Sequence, residues 1–200
     1  MTGIIHYGAG NIFSIINCLD RCGERVLMIS HPDRLKKVER IVLPGVGAFD
    51  RGIEYLKKTC LYQALKDESE KGKPILGICL GLQMFFEESE EGKQNGLGLL
   101  PGFVRKFPKE IKFPVPHMGW NTVRFYRNSR ISNKIPAKSS FYFAHSFYAI
   151  PQDKKIISGT TTYGIKFASV VEKNNIIGVQ FHPEKSAKNG FILIQNFLKI

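Results

Sequence analysis

Cys79 sits in Gly77-Ile78-Cys79-Leu80-Gly81, a spacing that can make a cysteine reactive. A nucleophile set between a strand and a helix must occupy a sharp turn, and a glycine two residues to either side relieves the crowding there, as in the G-x-S-x-G elbow with sulfur in place of oxygen. The turn also aims a helix N-terminus at the sulfur, which favours thiolate. The same residues read equally as a buried strand-end cysteine beside packing glycines. A thiolate nucleophile needs a histidine, and the histidine needs an orienting group. Of the five histidines, His182 follows the apolar run Ile176–Phe181 and is itself followed by Pro183 and Glu184. The proline stops the strand, and Glu184 can accept the second imidazole N–H. His6 has no acid beside it, and His31 precedes a proline in a loop of surface character. Pro44-Gly45-Val46-Gly47 forms a third element, whose glycines free backbone N–H groups to meet an oxyanion. Alone, it also reads as an ordinary strand-to-helix turn.

The elements that must hold these residues follow from hydrophobic periodicity. Gly3–Tyr7, Arg25–Ser30, Arg40–Leu43 and Pro74–Cys79 read as strands. Between them, Gly8–Asn11 reads as a turn with a helix N-cap, and Ile12, Ile15, Ile16 and Leu19 form the apolar face of a helix ending near Gly23. One long helix is expected over Ile53–Lys71 and a shorter one over Leu80–Glu88. After Gly102 the grammar changes to strand-like segments at Gly119–Tyr126, Ser139–Ala149, Lys155–Thr162, Phe167–Lys173 and Ile176–Phe181, with a hairpin turn at Asn174-Asn175. A helix over Lys185–Leu198 closes the chain. The expected fold class is α/β: an open, mostly parallel sheet flanked by helices, with additional antiparallel strands, in one domain spanning 1–200. The carboxyl ends of parallel strands line the active edge of such sheets, where Cys79 and His182 both fall.

Composition narrows the function classes. The 200 residues are 43% hydrophobic and 23% charged, which excludes disordered and fibrous classes. No apolar run approaches a membrane span of about 18–20 residues, and the first residues lack the basic and apolar regions of a signal peptide. Cys18, Cys22, Cys60 and Cys79 show no disulfide framework, so a reducing, cytoplasmic setting is expected. Cys18 and Cys22 stand four apart on a helix without a second ligand pair, so core packing is expected and no metal. The net charge of +12 concentrates in 101–138, where nine basic residues (Arg105, Lys106, Lys109, Lys112, Arg124, Arg127, Arg130, Lys134, Lys138) face Glu110 alone, a local +8. A solvated basic face is the plain reading. A nucleic-acid-binding module is disfavoured, because no recognition motif or aromatic interleaving accompanies the charge.

Pro-Gly-Val-Gly, Gly-Ile-Cys-Leu-Gly-Leu-Gln and Gln-Phe-His-Pro-Glu, in that order, resemble the class I, triad-type glutamine amidotransferases. Four further blocks resemble one branch of that family, the glutaminase subunits of imidazole glycerol phosphate synthases. They are His6–Asn11, His117-Met118-Gly119-Trp120-Asn121, Phe141–Phe147 and His182-Pro183-Glu184-Lys185-Ser186, and they span nearly the whole chain. The resemblance implies that Cys79 attacks the side-chain amide of L-glutamine, with His182 as base and then acid and Glu184 orienting it. Ammonia leaves, and water hydrolyses a glutamyl thioester. The oxyanion would meet the N–H of Leu80 and one from Val46 or Gly47. Gly47, Gln83, Ser146 and Phe147 would hold the glutamine. Asn11, Trp120, Asn121 and Lys185 would face a (β/α)₈-barrel synthase subunit that receives the ammonia. No cofactor, nucleic acid or membrane is implied, and the isolated chain is expected to be nearly inactive until its partner is present.

Two positions depart from the branch's usual pattern: His6 where Asp is common, and Ala187 where Gln often stands. Neither touches the triad. They leave open a paralogous role, supplying ammonia for amidination of a surface-glycan sugar precursor. A stand-alone cysteine hydrolase is the remaining enzymatic alternative, and the partner-facing blocks speak against it.

Overall fold

The computed structural model describes residues 1–6, 12–45, 47–126 and 129–200. The expected turn over Gly8–Asn11, the end of the first strand at Tyr7, Asn11 itself and Val46 lie outside the described residues.

The parallel half of the sheet is laid down by β1 (Thr2–Ile5), β2 (Val26–Ile29), β3 (Arg40–Leu43) and β4 (Ile75–Ile78), joined late in the chain by β12 (Ile176–Val179). The order is β2-β1-β3-β4-β12, with every neighbour parallel. Apart from the half-buried edge strand β2, these strands are buried on both faces and read as continuous apolar runs. Successive residues still point to opposite sides. Ile5, Ile41, Leu43 and Ile75 join one apolar cluster, whereas Ile4, Val42 and Leu76 join the other. Helices α2 (Phe49–Lys58) and α3 (Leu61–Glu70) cover the first cluster with Phe49, Ile53, Leu56, Leu61 and Leu65. Helices α1 (Ile12–Arg21) and α5 (Ala187–Phe197) cover the second with Ile12, Ile15, Leu19, Leu193, Ile194 and Phe197.

Beyond β12 the sheet turns antiparallel, through β11 (Ile165–Lys173), β10 (Ile157–Tyr163), β7 (His117–Phe125) and β8 (Lys138–His145). The β11–β12 hairpin closes at Asn174-Asn175, where Asn174 takes the positive φ of 52° that such a turn demands. No helix among the described residues is long and apolar enough to cross a membrane.

Four expectations about elements need correction. The single helix over Ile53–Lys71 is two helices, α2 and α3, because Cys60 adopts a left-handed φ of 59° and ends the hydrogen-bond ladder without any glycine or proline to mark the break. The helix from Leu80 is only α4 (Leu80–Gln83). Beyond it the ladder tightens into turns, with Phe85 N–H donating to the Leu82 carbonyl at 3.1 Å and Phe86 N–H to the Gln83 carbonyl at 3.2 Å, and Met84, Phe85 and Phe86 are all buried. The strand over Ser139–Ala149 is split at Ser146 into β8 and β9 (Phe147–Pro151), where the chain leaves its pairing with β7 and joins β6 (Gly102–Lys106) and β11. Strand β6, with the short β5 (Glu88–Ser89) beside it, was not expected. It lies at the start of the basic segment, where the consecutive exposed Arg105 and Lys106 disguise it as loop.

Candidate active site

Cys79 follows β4 directly and starts α4 with φ 53° and ψ −106°, a conformation that L-residues avoid. The flanking glycines are required by contact. A Cβ on Gly81 would stand 1.9 Å from the Leu43 carbonyl oxygen, and one on Gly77 would stand 2.6 Å from Phe85 and 2.7 Å from Gly81. The spacing seen in the sequence is therefore steric in origin. As the first residue of α4, directly after Cys79, Leu80 has no partner within the helix for its N–H.

His182 arrives from the neighbouring strand. Because β12 runs parallel to β4 with Val179 opposite Ile78, the chain leaving β12 emerges at the same edge as Cys79. Its loop is pinned to β8: His182 N–H donates to the Tyr142 carbonyl at 2.8 Å, the buried Ser186 hydroxyl donates to the His182 carbonyl at 2.6 Å, and Tyr142 N–H donates to that hydroxyl at 3.0 Å. His182 Nδ1 and Glu184 Oε1 are 2.8 Å apart, with both side chains buried. His182 Nε2 and Glu184 Oε2 are buried with no protein hydrogen bond. Burial pulls the imidazole pKa down, but the Cys79 sulfur and the Glu184 carboxylate outweigh it and raise it to about 10. The site thus favours an imidazolium beside the sulfur, a group able to give a proton to a departing amine.

A cavity of about 220 Å³ opens over the sulfur, lined by Gly47, Cys79, Leu80, Gln83, Ser146 and Phe147, together with Glu91. Gly47 has φ 121°, a backbone that places its amide where few other residues could. A larger open groove of about 810 Å³ lies elsewhere, bordered by Tyr62, Lys66 and Phe103; it contains none of these groups and has no nucleophile at its floor. Gln83 is buried and engaged with its own chain, its Nε2 lying 3.0 Å from the Phe147 carbonyl and 3.2 Å from Gln180 Oε1. The structure thus gathers the sequence-predicted residues Cys79, His182, Glu184, Gly47, Leu80, Gln83, Ser146 and Phe147 at one edge, and Val46 falls outside the described residues.

Glu91 escaped the sequence reading. It lay in the acidic cluster Glu87, Glu88, Glu90 and Glu91, which disperses in three dimensions. Glu87 accepts from Gly102 N–H, Glu90 pairs with Arg105, and Glu91 alone faces the cavity. Burial pushes its carboxyl pKa up, against a hydrogen bond from Phe49 N–H.

Trp120, Met118 and Lys185 lie together on the surface. Trp120 is 56% exposed and Met118 64% exposed on β7, and Trp120 meets the Tyr142 ring edge-on at 6.3 Å. Lys185 places its ammonium 5.7 Å from the same ring. Asn121 differs, since its Nδ2 turns inward to the Thr162 carbonyl at 3.1 Å and to His117 Nε2 at 3.2 Å. Of the other histidines, His6 and His31 are exposed. Cys18 packs in the core, and burial lifts its thiol pKa to about 11. In the basic segment, Arg105 and Arg130 are spent on Glu90 and Glu172.

Residues 4–200 match the glutamine amidotransferase class-I family. The imidazole glycerol phosphate synthase subunit HisH of Moorella thermoacetica is 46% identical over 195 residues, covering 97% of this chain and 92% of its own. HisH of Bacillus cytotoxicus is 45% identical over 199 residues, covering 98% and 93%. The subunit named HisH 2 of Methanococcus maripaludis is 44% identical over 200 residues, covering 100% and 99%. Among solved structures, PurLQS from Thermotoga maritima superposes with a TM-score of 0.77 at 22% identity, covering 99% of this chain and 97% of that one. A glutamine amidotransferase superposes with a TM-score of 0.78 at 15% identity over the same shares. At those identities the likeness is one of fold, and it agrees with the mixed α/β sheet expected from the sequence.

Proposed function

The chain belongs to the class-I glutamine amidotransferases and, within them, to the HisH glutaminase subunits of imidazole glycerol phosphate synthase; from that premise we propose that Cys79, His182 and Glu184 are its catalytic triad. The observation that carries this is the meeting of a strained elbow cysteine with a buried His182–Glu184 pair at 2.8 Å. Cys79 attacks the side-chain carbonyl carbon of L-glutamine, and the oxyanion is met by the N–H of Leu80 and one from Gly47 or Val46. His182 gives its proton to the departing ammonia. Water then adds to the glutamyl thioester, His182 takes a proton from it, and the C–S bond breaks to release L-glutamate.

Gln83, Ser146 and Phe147 border the cavity that takes the glutamine, and the Glu91 carboxylate is placed to counter its α-ammonium. Trp120 and Lys185 belong to the face that meets a (β/α)₈-barrel cyclase in a heterodimer, since a large exposed aromatic flanked by a cation is a typical interface anchor. Asn121 supports that face from within, and Asn11, outside the described residues, is assigned to the partner contact by the family pattern alone. Ammonia passes to the barrel for imidazole glycerol phosphate formation in histidine biosynthesis, in the cytoplasm. The names of the relatives favour that acceptor over a glycan precursor. The whole of 1–200 acts as a single domain, because one sheet runs through it with apolar clusters on both faces.

The test is glutamate release from glutamine by this chain, alone and mixed with the cyclase subunit and its acceptor. Activity that appears only in the mixture supports the reading; strong activity of the chain alone counts against a partner-gated subunit. Cys79→Ala abolishes release in the mixture while leaving association intact, and persistent release would remove Cys79 from its role.

A further inference from the structure

Strand register forces a residue outside the triad against the reacting sulfur. With Ile78 opposite Val179, the next residues along β4 and β12 are Cys79 and Gln180, and Cys79 N–H donates to the Val179 carbonyl at 2.8 Å. Gln180 is completely buried, and its Nε2 lies 3.6 Å from Cys79 Sγ. A buried carboxamide must have its hydrogen bonds met, and it can turn either its oxygen or its NH₂ toward the sulfur.

The neighbours decide which. The Phe147 carbonyl can only accept, so Gln83 turns Nε2 toward it, at 3.0 Å. The second N–H of that nitrogen goes to Gln180 Oε1, at 3.2 Å. Gln180 therefore spends its oxygen on Gln83 and keeps its N–H for the sulfur. Reversed, it would set one NH₂ against another. At the sulfur itself the two protonation states have different partners. A thiol can donate to the Ala144 carbonyl, 3.8 Å away, whereas a thiolate can only accept, and Gln180 is a donor beside it.

We propose that Gln180 is a catalytic hydrogen-bond donor to the Cys79 sulfur, locked in its donating orientation by Gln83, and that it stabilises the thiolate in addition to His182. This rests on the reading of Cys79 as nucleophile. Gln180 acts at both ends of the cycle: before attack it holds the thiolate, and when the thioester C–S bond breaks the electron pair returns to sulfur, where the Gln180 N–H donates to it.

The test is the pH dependence of iodoacetamide alkylation of the full chain, resolved at Cys79 by peptide mass spectrometry so that Cys18, Cys22 and Cys60 do not contribute. Gln180→Met keeps the volume and removes the donor. Its alkylation midpoint should rise by about one pH unit, slowing the reaction by about tenfold at pH values well below both midpoints. A depressed wild-type midpoint that Gln180→Met leaves unmoved overturns the proposal alone. A wild-type Cys79 titrating as an ordinary thiol, near pH 8.5, overturns the nucleophile reading and this proposal with it. Should Gln180→Met fail to fold, the wild type still decides: the Gln180 side-chain amide NMR signals should titrate with the alkylation midpoint, and signals flat across that range overturn the proposal.

Discussion

His117 Nδ1 and His145 Nε2 lie 3.0 Å apart in a buried hydrogen bond whose polarity is fixed from both ends. His145 Nδ1 is 2.7 Å from the Phe147 carbonyl, an obligate acceptor, so that nitrogen carries the proton and Nε2 accepts from His117. His117 Nε2 then accepts from Asn121 Nδ2, at 3.2 Å. Both rings are neutral, and His117 is stacked between Tyr163 and Phe143 at 3.9 and 4.6 Å. With Gln83 on the same Phe147 carbonyl, one polar chain joins the half-buried Asn121 to the floor of the cavity.

Neutral burial of this pair makes the fold acid-sensitive. Burial lowers the pKa of His117 to about 4 and, with a smaller repulsion from His117 and His182, that of His145 to about 3. The unfolded chain binds protons at these residues below about pH 6.5 and the folded chain does not, so their contribution is complete above that pH and is lost as the pH falls toward 4 and below. The urea midpoint should fall steeply over that window. His117→Gln, which keeps a donor and an acceptor, should flatten the slope, and an unchanged slope would place the sensitivity elsewhere.

Glu184→Gln removes the charge that helps hold His182 protonated. The raised His182 pKa contributes stability that is complete below about pH 6.5 and is lost as the pH climbs toward 10. The variant should lose part of that alkaline dependence, and its kcat should fall by about 10²–10⁴-fold. A kcat within a factor of three of wild type would show that Glu184 does not orient the base.

Glu91→Gln keeps the shape of the cavity wall and removes its charge. If the carboxylate meets the α-ammonium of glutamine, KM should rise by about tenfold or more with little change in kcat, the signature of lost ground-state binding. A KM unchanged in steady-state assays of the complex would leave Glu91 as wall alone.

Trp120→Ala should weaken association with the cyclase subunit by about 2 kcal/mol, or roughly 30-fold, as loss of an aromatic anchor does. Its thermal midpoint should stay within a few degrees of wild type, since the ring is 56% exposed. Calorimetric titration showing the same Kd would place Trp120 outside the contact.

Much of the site was legible before the fold was known, because its constraints are local. Gly77 and Gly81 must flank Cys79 for steric reasons, and Pro183 and Glu184 act within two residues of His182. The elements that misled were those whose ends carry no local mark. Cys60 breaks a helix in a conformation usually given to glycine, and Ser146 sits where one apolar run changes its pairing partner. A lone tryptophan on a strand suits a core as well as a contact, and only the fold shows that Trp120 stands exposed.

By itself the sequence determined the α/β class, the elbow, the histidine–carboxylate pair and the branch of the family, since each is written in spacings of a few residues or in blocks that keep their order. Tertiary structure decided what depends on register and crossing. It drew Glu91 out of an acidic cluster into the cavity, turned Asn121 inward, and set Gln180 beside a cysteine 101 positions away. Parallel pairing of β4 with β12 brings distant residues together one step at a time. Only the folded sheet states which residue of one strand stands opposite which residue of the other.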